Sequence, residues 1–110
     1  MTEEHIIQNQ IRAALSPYAV IFRGNVGSGY TYDGRHFNTG LPKGFSDLFG
    51  FRKSDGKTIF IEVKTPKGMP SKEQEKFLLT MKSFGAIAGI CRSPDEALLL
   101  IEVSNDARNM

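Results

Sequence analysis

With Cys91 as its only cysteine, the chain can form neither an internal disulfide nor a cysteine zinc cluster, and a reducing cytoplasm is the expected setting. Two histidines, His5 and His36, are too few for a histidine zinc site. No window approaches the roughly 20 apolar residues that cross a bilayer. The opening MTEEHIIQNQ is acidic and polar, so it lacks the basic start and apolar stretch of a secretory signal. Nor is there a large charge excess. Fourteen basic and twelve acidic residues leave +2, which permits nucleic-acid binding without demanding it. Repeats, low-complexity tracts and linkers are absent, so residues 1–110 read as one domain. The segment 104–110 is expected to be a frayed tail.

What is present is ordinary globular composition, 40% hydrophobic and 24% charged, enough for one modest core. The charge is unevenly spread. Between Arg23 and Lys67 stand eight basic residues against four acidic ones, so the middle of the chain is basic.

Thr2 as cap, followed by Ile6, Ile7, Ile11, Ala14 and Leu15 at helical spacing, predicts a helix that Ser16-Pro17 ends. Tyr18 to Val26 reads as a strand. Residues 27–44, punctuated by five glycines and Pro42, read as irregular, and a loop this long is usually functional or disordered. Asp47–Arg52 and Thr58–Lys64 read as two strands joined by a turn holding Asp55-Gly56. Ser71 with Gln74 looks like a capping box. It opens a helix to about Ser83 with Phe77, Leu78 and Met81 as buried stripe, closed by Gly85. Ala86–Cys91 reads as a buried strand, and Cys91 as a small core residue. Ser93-Pro94 starts a last helix to about Val103. The fold class is α/β, with a mixed four-stranded sheet flanked by helices in the order α-β-β-β-α-β-α.

In the strand Ile59-Phe60-Ile61-Glu62-Val63-Lys64, alternation sends Ile59, Ile61 and Val63 to one face and Phe60, Glu62 and Lys64 to the other. Glu62 and Lys64 are then neighbours, with α-carbons about 6.6 Å apart. The hairpin returns the start of one strand to the end of the next, so Asp47 and Glu62 can converge. Two converging carboxylates repel, and holding both ionised takes a cation. Magnesium suits two carboxylates, waters and phosphate oxygens. Phosphodiester hydrolysis could use such a site, with Lys64 orienting a water or stabilising developing charge. The Val63 carbonyl, between the two side chains in sequence, could supply another oxygen ligand.

Asp47 followed by Glu62-Val63-Lys64 resembles the D…(D/E)-x-K signature of the PD-(D/E)XK nucleases, and the element order resembles their restriction-endonuclease-like core. Glu4 with Gln8, Arg23-Gly24-Asn25-Val26-Gly27, Gly44-Phe45-Ser46-Asp47-Leu48 and Ser71-x-x-Gln74 extend the likeness to a stand-alone VRR-NUC domain over nearly the whole chain. The resemblance implies Asp47, Glu62, the Val63 carbonyl and, from the first helix, Glu4 (preferred to Glu3 for its spacing to Gln8) as metal ligands, Lys64 as catalytic lysine and Gln74 as helper. Magnesium would be the cofactor, with manganese as substitute. It also implies a homodimer cutting branched DNA such as Holliday junctions, in the cytoplasm of a bacterium or a virus-infected cell. Ser46 departs from the proline common at its position.

Other readings of these residues are open. Glu62 and Lys64 also fit an exposed pair on an edge strand, and Asp47 a turn cap. Glu4 fits a charge favouring its helix N-terminus, and Gln74 a capping-box partner alone. Tyr30, Tyr32, Arg35 and His36 fit either base stacking and phosphate contact or plain loop surface. Arg23, Lys43 and Lys67 fit solvated charges, some meeting phosphate. The alternatives to a structure-selective nuclease are a non-catalytic DNA-binding module of the same fold and a restriction-type nuclease acting on linear duplex.

Overall fold

The computed structural model describes residues 1–108, apart from the side chains of Ser28 and of residues 103–108. Helix α1 (Glu3–Leu15) begins where expected: the Thr2 hydroxyl accepts from the His5 N–H at 3.1 Å, satisfying one of the free donors of the first turn. Ile7, Ile11 and Leu15 form its buried stripe, while Ile6 faces solvent. Strand β1 (Ala19–Arg23) follows. It is shorter than the expected Tyr18–Val26, because beyond Gly24, whose N–H bonds the Asp47 carbonyl at 2.7 Å, the chain leaves the sheet.

The stretch expected to be irregular holds a two-stranded antiparallel ribbon, β2 (Ser28–Tyr30) and β3 (His36–Asn38). Its strands are too short to show alternation, and Gly29 interrupts one of them. The ribbon is held by backbone pairing, by the Thr31–Arg35 turn bond of 2.7 Å and by the Phe37 ring lying over Gly29, where a β-carbon would meet the ring at 3.1 Å. The element order is therefore α-β-β-β-β-β-α-β-α, with the ribbon inserted between the first two strands of the main sheet.

That sheet has the order β1-β4-β5-β6, with β4 (Leu48–Arg52) and β5 (Thr58–Val63) forming the expected hairpin. Gly56 takes φ +75° at its turn, where glycine carries no β-carbon penalty. Gly50 is required for a different reason: β1 passes so close that a β-carbon there would lie 1.8 Å from the Val20 carbonyl oxygen. Arg52 is buried, bonds Asp55 through two nitrogens at 3.1 and 2.7 Å, and donates to the Ile101 carbonyl at 2.5 Å. These bonds tie the hairpin to the last helix.

After β5, helix α2 (Lys72–Ser83) leads to β6 (Ile87–Cys91), which pairs parallel to β5, the geometry a helical crossover permits. Helix α3 (Pro94–Arg108) closes the chain and extends past the expected end at Val103. Of the expected frayed tail, residues 109–110 lie outside the described residues. The core lies between the sheet and α1 and α3, built from Ile7, Ile11, Leu15, Leu48, Ile59, Ile61, Val63, Ile87 and Ile101. The opposite face carries aromatics. Phe45 touches Phe49, Phe60 and Phe77 with ring centroids 5.0–5.9 Å apart, and Phe77 seats α2 on Phe60. Of the expected α2 stripe, Leu78 is buried and Phe77 and Met81 are half-buried. No helix among the described residues is long and apolar enough to cross a membrane.

Candidate active site

Alternation along β5 puts Ile59, Ile61 and Val63 in the core, with Phe60 and Glu62 on the α2 face. Glu62 is only 1% exposed, so it is not a solvated edge-strand charge. Its Oε1 accepts from Gln74 Nε2 at 3.0 Å and lies 3.9 Å from Lys64 Nζ. Its Oε2 is buried and has no hydrogen-bond partner among the described residues. Just before β4, the Asp47 carboxylate accepts the Val63 N–H at 2.9 Å through Oδ2. This bond joins the two halves of the signature directly, across sixteen positions. It is also more than a turn cap, since its donor sits on another strand. A strand residue directs its N–H and C=O to the same side, so the Val63 carbonyl shares the edge that Asp47 occupies.

The electrostatics follow from this packing. The Glu62 carboxyl is pushed from 4.5 up to about 9, by burial first and then by the neighbouring Asp47, with a smaller upward push from Glu4, and against the lowering effect of the Lys64 ammonium. Drawn as an ion, Glu62 leaves Oε2 orphaned beside a like charge, an arrangement of high cost. Protonated, the same oxygen can donate to Asp47. At neutral pH the metal-free Glu62 carboxyl therefore keeps its proton, and a cation at the two carboxylates would do the same electrostatic work in its place. The unpartnered oxygen, the neighbouring carboxylate and the Val63 carbonyl are hard oxygen donors of the kind magnesium takes.

The structure does not gather a larger acidic cage. Among the described residues no three His, Cys, Asp or Glu side chains stand close enough to hold a metal ion together. Glu4, half-buried in the first turn of α1, is near enough for its charge to be felt at Glu62 but does not join Asp47 and Glu62 as a third carboxylate.

Gln74 is more than a capping-box partner, because its side chain also bonds Glu62. Its Oε1 accepts from the Ser71 N–H at 2.8 Å, the Ser71 hydroxyl accepts from the Gln74 N–H at 3.1 Å, and its Nε2 reaches Glu62. The capping box thus fixes the amide that orients the buried carboxylate. Ser46 is fully buried and donates its hydroxyl to the Leu48 carbonyl at 2.8 Å. This hydrogen bond shapes the entry to β4 where a proline would constrain it by its ring.

The remaining sequence candidates are exposed and dispersed. Arg23 ends β1 opposite Leu48, next to Asp47. Lys43 pairs with Glu73 at 3.6 Å in the first turn of α2. Lys67 lies in the turn after β5. Tyr30, Arg35 and His36 sit on the ribbon, Tyr30 and His36 edge to face at 5.3 Å and Arg35 paired with Asp33. Tyr32 is fully exposed at the ribbon's end.

A family profile described as the VRR-NUC domain matches residues 34–95, more than half of the chain. The chain belongs to the VRR-NUC family. It is thereby a nuclease domain, a hydrolase whose partner is DNA, within the PD-(D/E)XK superfamily. A solved structure titled "VRR_NUC domain" shares the fold, with a TM-score of 0.65 at 21% identity over 93% of this chain and 97% of that one. No curated protein matches significantly. The matched span of the VRR-NUC profile contains Asp47, Glu62, Lys64 and Gln74, the residues that converge.

The double use of Gln74 makes a prediction. Gln74→Ala leaves the Ser71 hydroxyl its backbone donor but removes the side-chain acceptor for the Ser71 N–H and the donor to Glu62, so Tm should fall by about 4–8 °C, equivalent to about 1 kcal/mol, and cleavage should fall with it. Gln74→Glu keeps the acceptor for the Ser71 N–H but sets a carboxylate against Glu62. It should recover the cap's share of stability without recovering cleavage, as thermal melts and a nuclease assay would show. Equal recovery of both would mean that Gln74 acts only as a cap.

Proposed function

We propose that this chain is a magnesium-dependent endonuclease, with manganese as substitute, that hydrolyses phosphodiester bonds in branched DNA such as four-way junctions and acts as a homodimer. The observation that carries the reading is the buried Glu62, with an oxygen that has no hydrogen-bond partner among the described residues, set against Asp47 and flanked by Lys64. A protein that only held DNA would gain nothing from carboxylates that repel phosphate, and burying them costs stability.

In this reading Asp47, Glu62 and the Val63 carbonyl would hold the cation, and Glu4 would act from the margin through its charge. When bound, the ion acidifies a water and neutralises charge on the scissile phosphate. Lys64 orients that water or donates to the developing phosphorane charge. Gln74 holds the Glu62 carboxylate so that its second oxygen faces Asp47. Arg23, Lys43 and Lys67 contact backbone phosphates around the site, while Tyr30, His36 and Arg35, with Tyr32 at the tip, make the ribbon a surface for unstacked bases and phosphate. A dimer is favoured by chemistry, since one site cuts one strand and a branched junction needs two cuts. The buried free thiol Cys91 suits a reducing compartment, the cytoplasm of a bacterium or of a virus-infected cell.

The test is cleavage of a labelled four-way junction beside the matching linear duplex, with magnesium, manganese or chelator. Metal-dependent cutting of the junction in preference to the duplex is the expected result. Equal cutting of the duplex at defined sequences would replace the branched substrate with a restriction-type one. Binding without cutting under every divalent ion would overturn the enzyme reading.

A further inference from the structure

Arg92 follows directly on β6 and stands beside Lys64. The Lys64 N–H donates to the Cys91 carbonyl at 3.2 Å. The parallel register Glu62↔Ile90 and Val63↔Cys91 continues to bring Arg92 alongside Lys64, at the carboxyl ends of two parallel strands. Crevices at such strand ends are where open α/β sheets bind ligands.

The guanidinium is half-buried and held in an unusual way. One nitrogen, Nη1, donates to the carbonyls of Thr65 at 2.7 Å and Gly68 at 2.6 Å. Those two bonds use both hydrogens of Nη1 and leave the N–H groups of Nε and Nη2 without a hydrogen-bond partner among the described residues. Nor does any carboxylate there form an ion pair with Arg92. Glu96, four positions further on, accepts the Arg92 backbone N–H through Oε1 at 2.8 Å instead. The contrast with Arg52 is direct: that buried guanidinium spends two nitrogens on Asp55 and a third bond on Ile101. Arg92 is a partly desolvated cation fixed in orientation by neutral groups, with a planar pair of donors unused. That chemistry fits an anion with two oxygens to offer.

We propose that Arg92 grips a phosphate of the DNA backbone next to the one being cut, with Thr65 and Gly68 fixing the plane of its fork. The inference rests on the nuclease reading, which supplies the phosphate. The same two bonds clamp the turn that leaves Lys64 and carries Lys67, so Arg92 also positions both lysines. Nothing in the amino-acid sequence singled Arg92 out; its place follows from the β5–β6 pairing.

Methylphosphonates, which neutralise one backbone phosphate at a time, test the assignment when scanned along a duplex and a four-way junction. Binding is measured in the Glu62→Gln background so that no strand is cut, for the otherwise unchanged protein, for Arg92→Ala and for Arg92→Lys. With Arg92 present, one methylphosphonate beside the scissile position should weaken binding about five- to tenfold, as loss of a charge-assisted bond does. With Ala or Lys that position should show no loss. Arg92→Lys should keep the Tm, because an ammonium can still donate to both carbonyls, while lacking the free fork. If Arg92→Ala does not fold, the Lys variant decides alone. Identical scans with Arg and Lys would overturn the phosphate contact. Failure of the Glu62→Gln protein to bind either DNA, with no cutting by the unaltered chain, would instead count against the nuclease reading.

Discussion

Glu62→Gln should abolish cleavage and stabilise the metal-free protein at once. The carboxyl is buried, and its environment pushes it up to about 9. In the folded, metal-free chain it therefore stays protonated at pH values where the unfolded chain has released the proton. Between about 4.5 and 9 the folded state binds more protons than the unfolded one, so stability falls as pH rises through that window. A carboxamide presents what the protonated acid presents: an oxygen to Gln74 and a donor to Asp47. It carries no charge to desolvate, so the variant should lack that pH slope. At pH 8 it should melt about 5 °C higher, corresponding to about 1 kcal/mol. Cleavage should drop by at least about 10³-fold, because an amide is a poor ligand for a cation worth several kcal/mol at the transition state. Under the proposed metal chemistry, magnesium would displace the Glu62 proton in the unaltered protein, so its affinity should rise with pH and its binding should release acid. Thermal melts with chelator between pH 5 and 9, read beside single-turnover cleavage, check both halves. A flat stability profile for the unaltered protein, or a Gln variant that melts lower, would refute the buried-proton account.

Lys64→Ala should slow cleavage by about 10²–10³-fold while leaving DNA binding nearly intact. The ammonium stands 3.9 Å from Glu62 Oε1, its side chain 15% exposed, too enclosed to serve as a general surface charge for duplex binding. Its removal should not weaken magnesium, since the ammonium and the cation compete for the same carboxylate. Single-turnover rates at saturating protein, with affinity measured separately under chelator, separate the effects. A rate unchanged from the parent chain would remove Lys64 from the catalytic group.

The main sheet was readable because strand alternation is a local property. Ile59, Ile61 and Val63 had to share one face and Phe60, Glu62 and Lys64 the other, whatever they packed against. The Asp55-Gly56 turn and the Ser71-Gln74 box were readable for the same reason, since each depends on residues a few positions apart. The β2–β3 ribbon was not readable. Its strands have three residues each, and the Phe37–Gly29 contact that supports it pairs a ring with a residue that has no side chain to form a pattern. Glu4 was placed among the ligands by resemblance, whereas the start of α1 brings its charge but not a third carboxylate into the pair.

The sequence alone determined which side chains share a face and where the hairpin turns, because these follow from backbone period and turn chemistry, and the resemblance to a nuclease signature singled out Asp47, Glu62 and Lys64. The tertiary structure alone decided that the Glu62 carboxyl is pushed up to about 9, that Gln74 both closes the capping box and reaches Glu62, and that Arg92 stands beside Lys64 bonded to two carbonyls and, among the described residues, to no carboxylate side chain through its guanidinium. Burial depth and distances between chain segments set these properties, and both arise only when β4, β5, β6 and α2 have closed around one another.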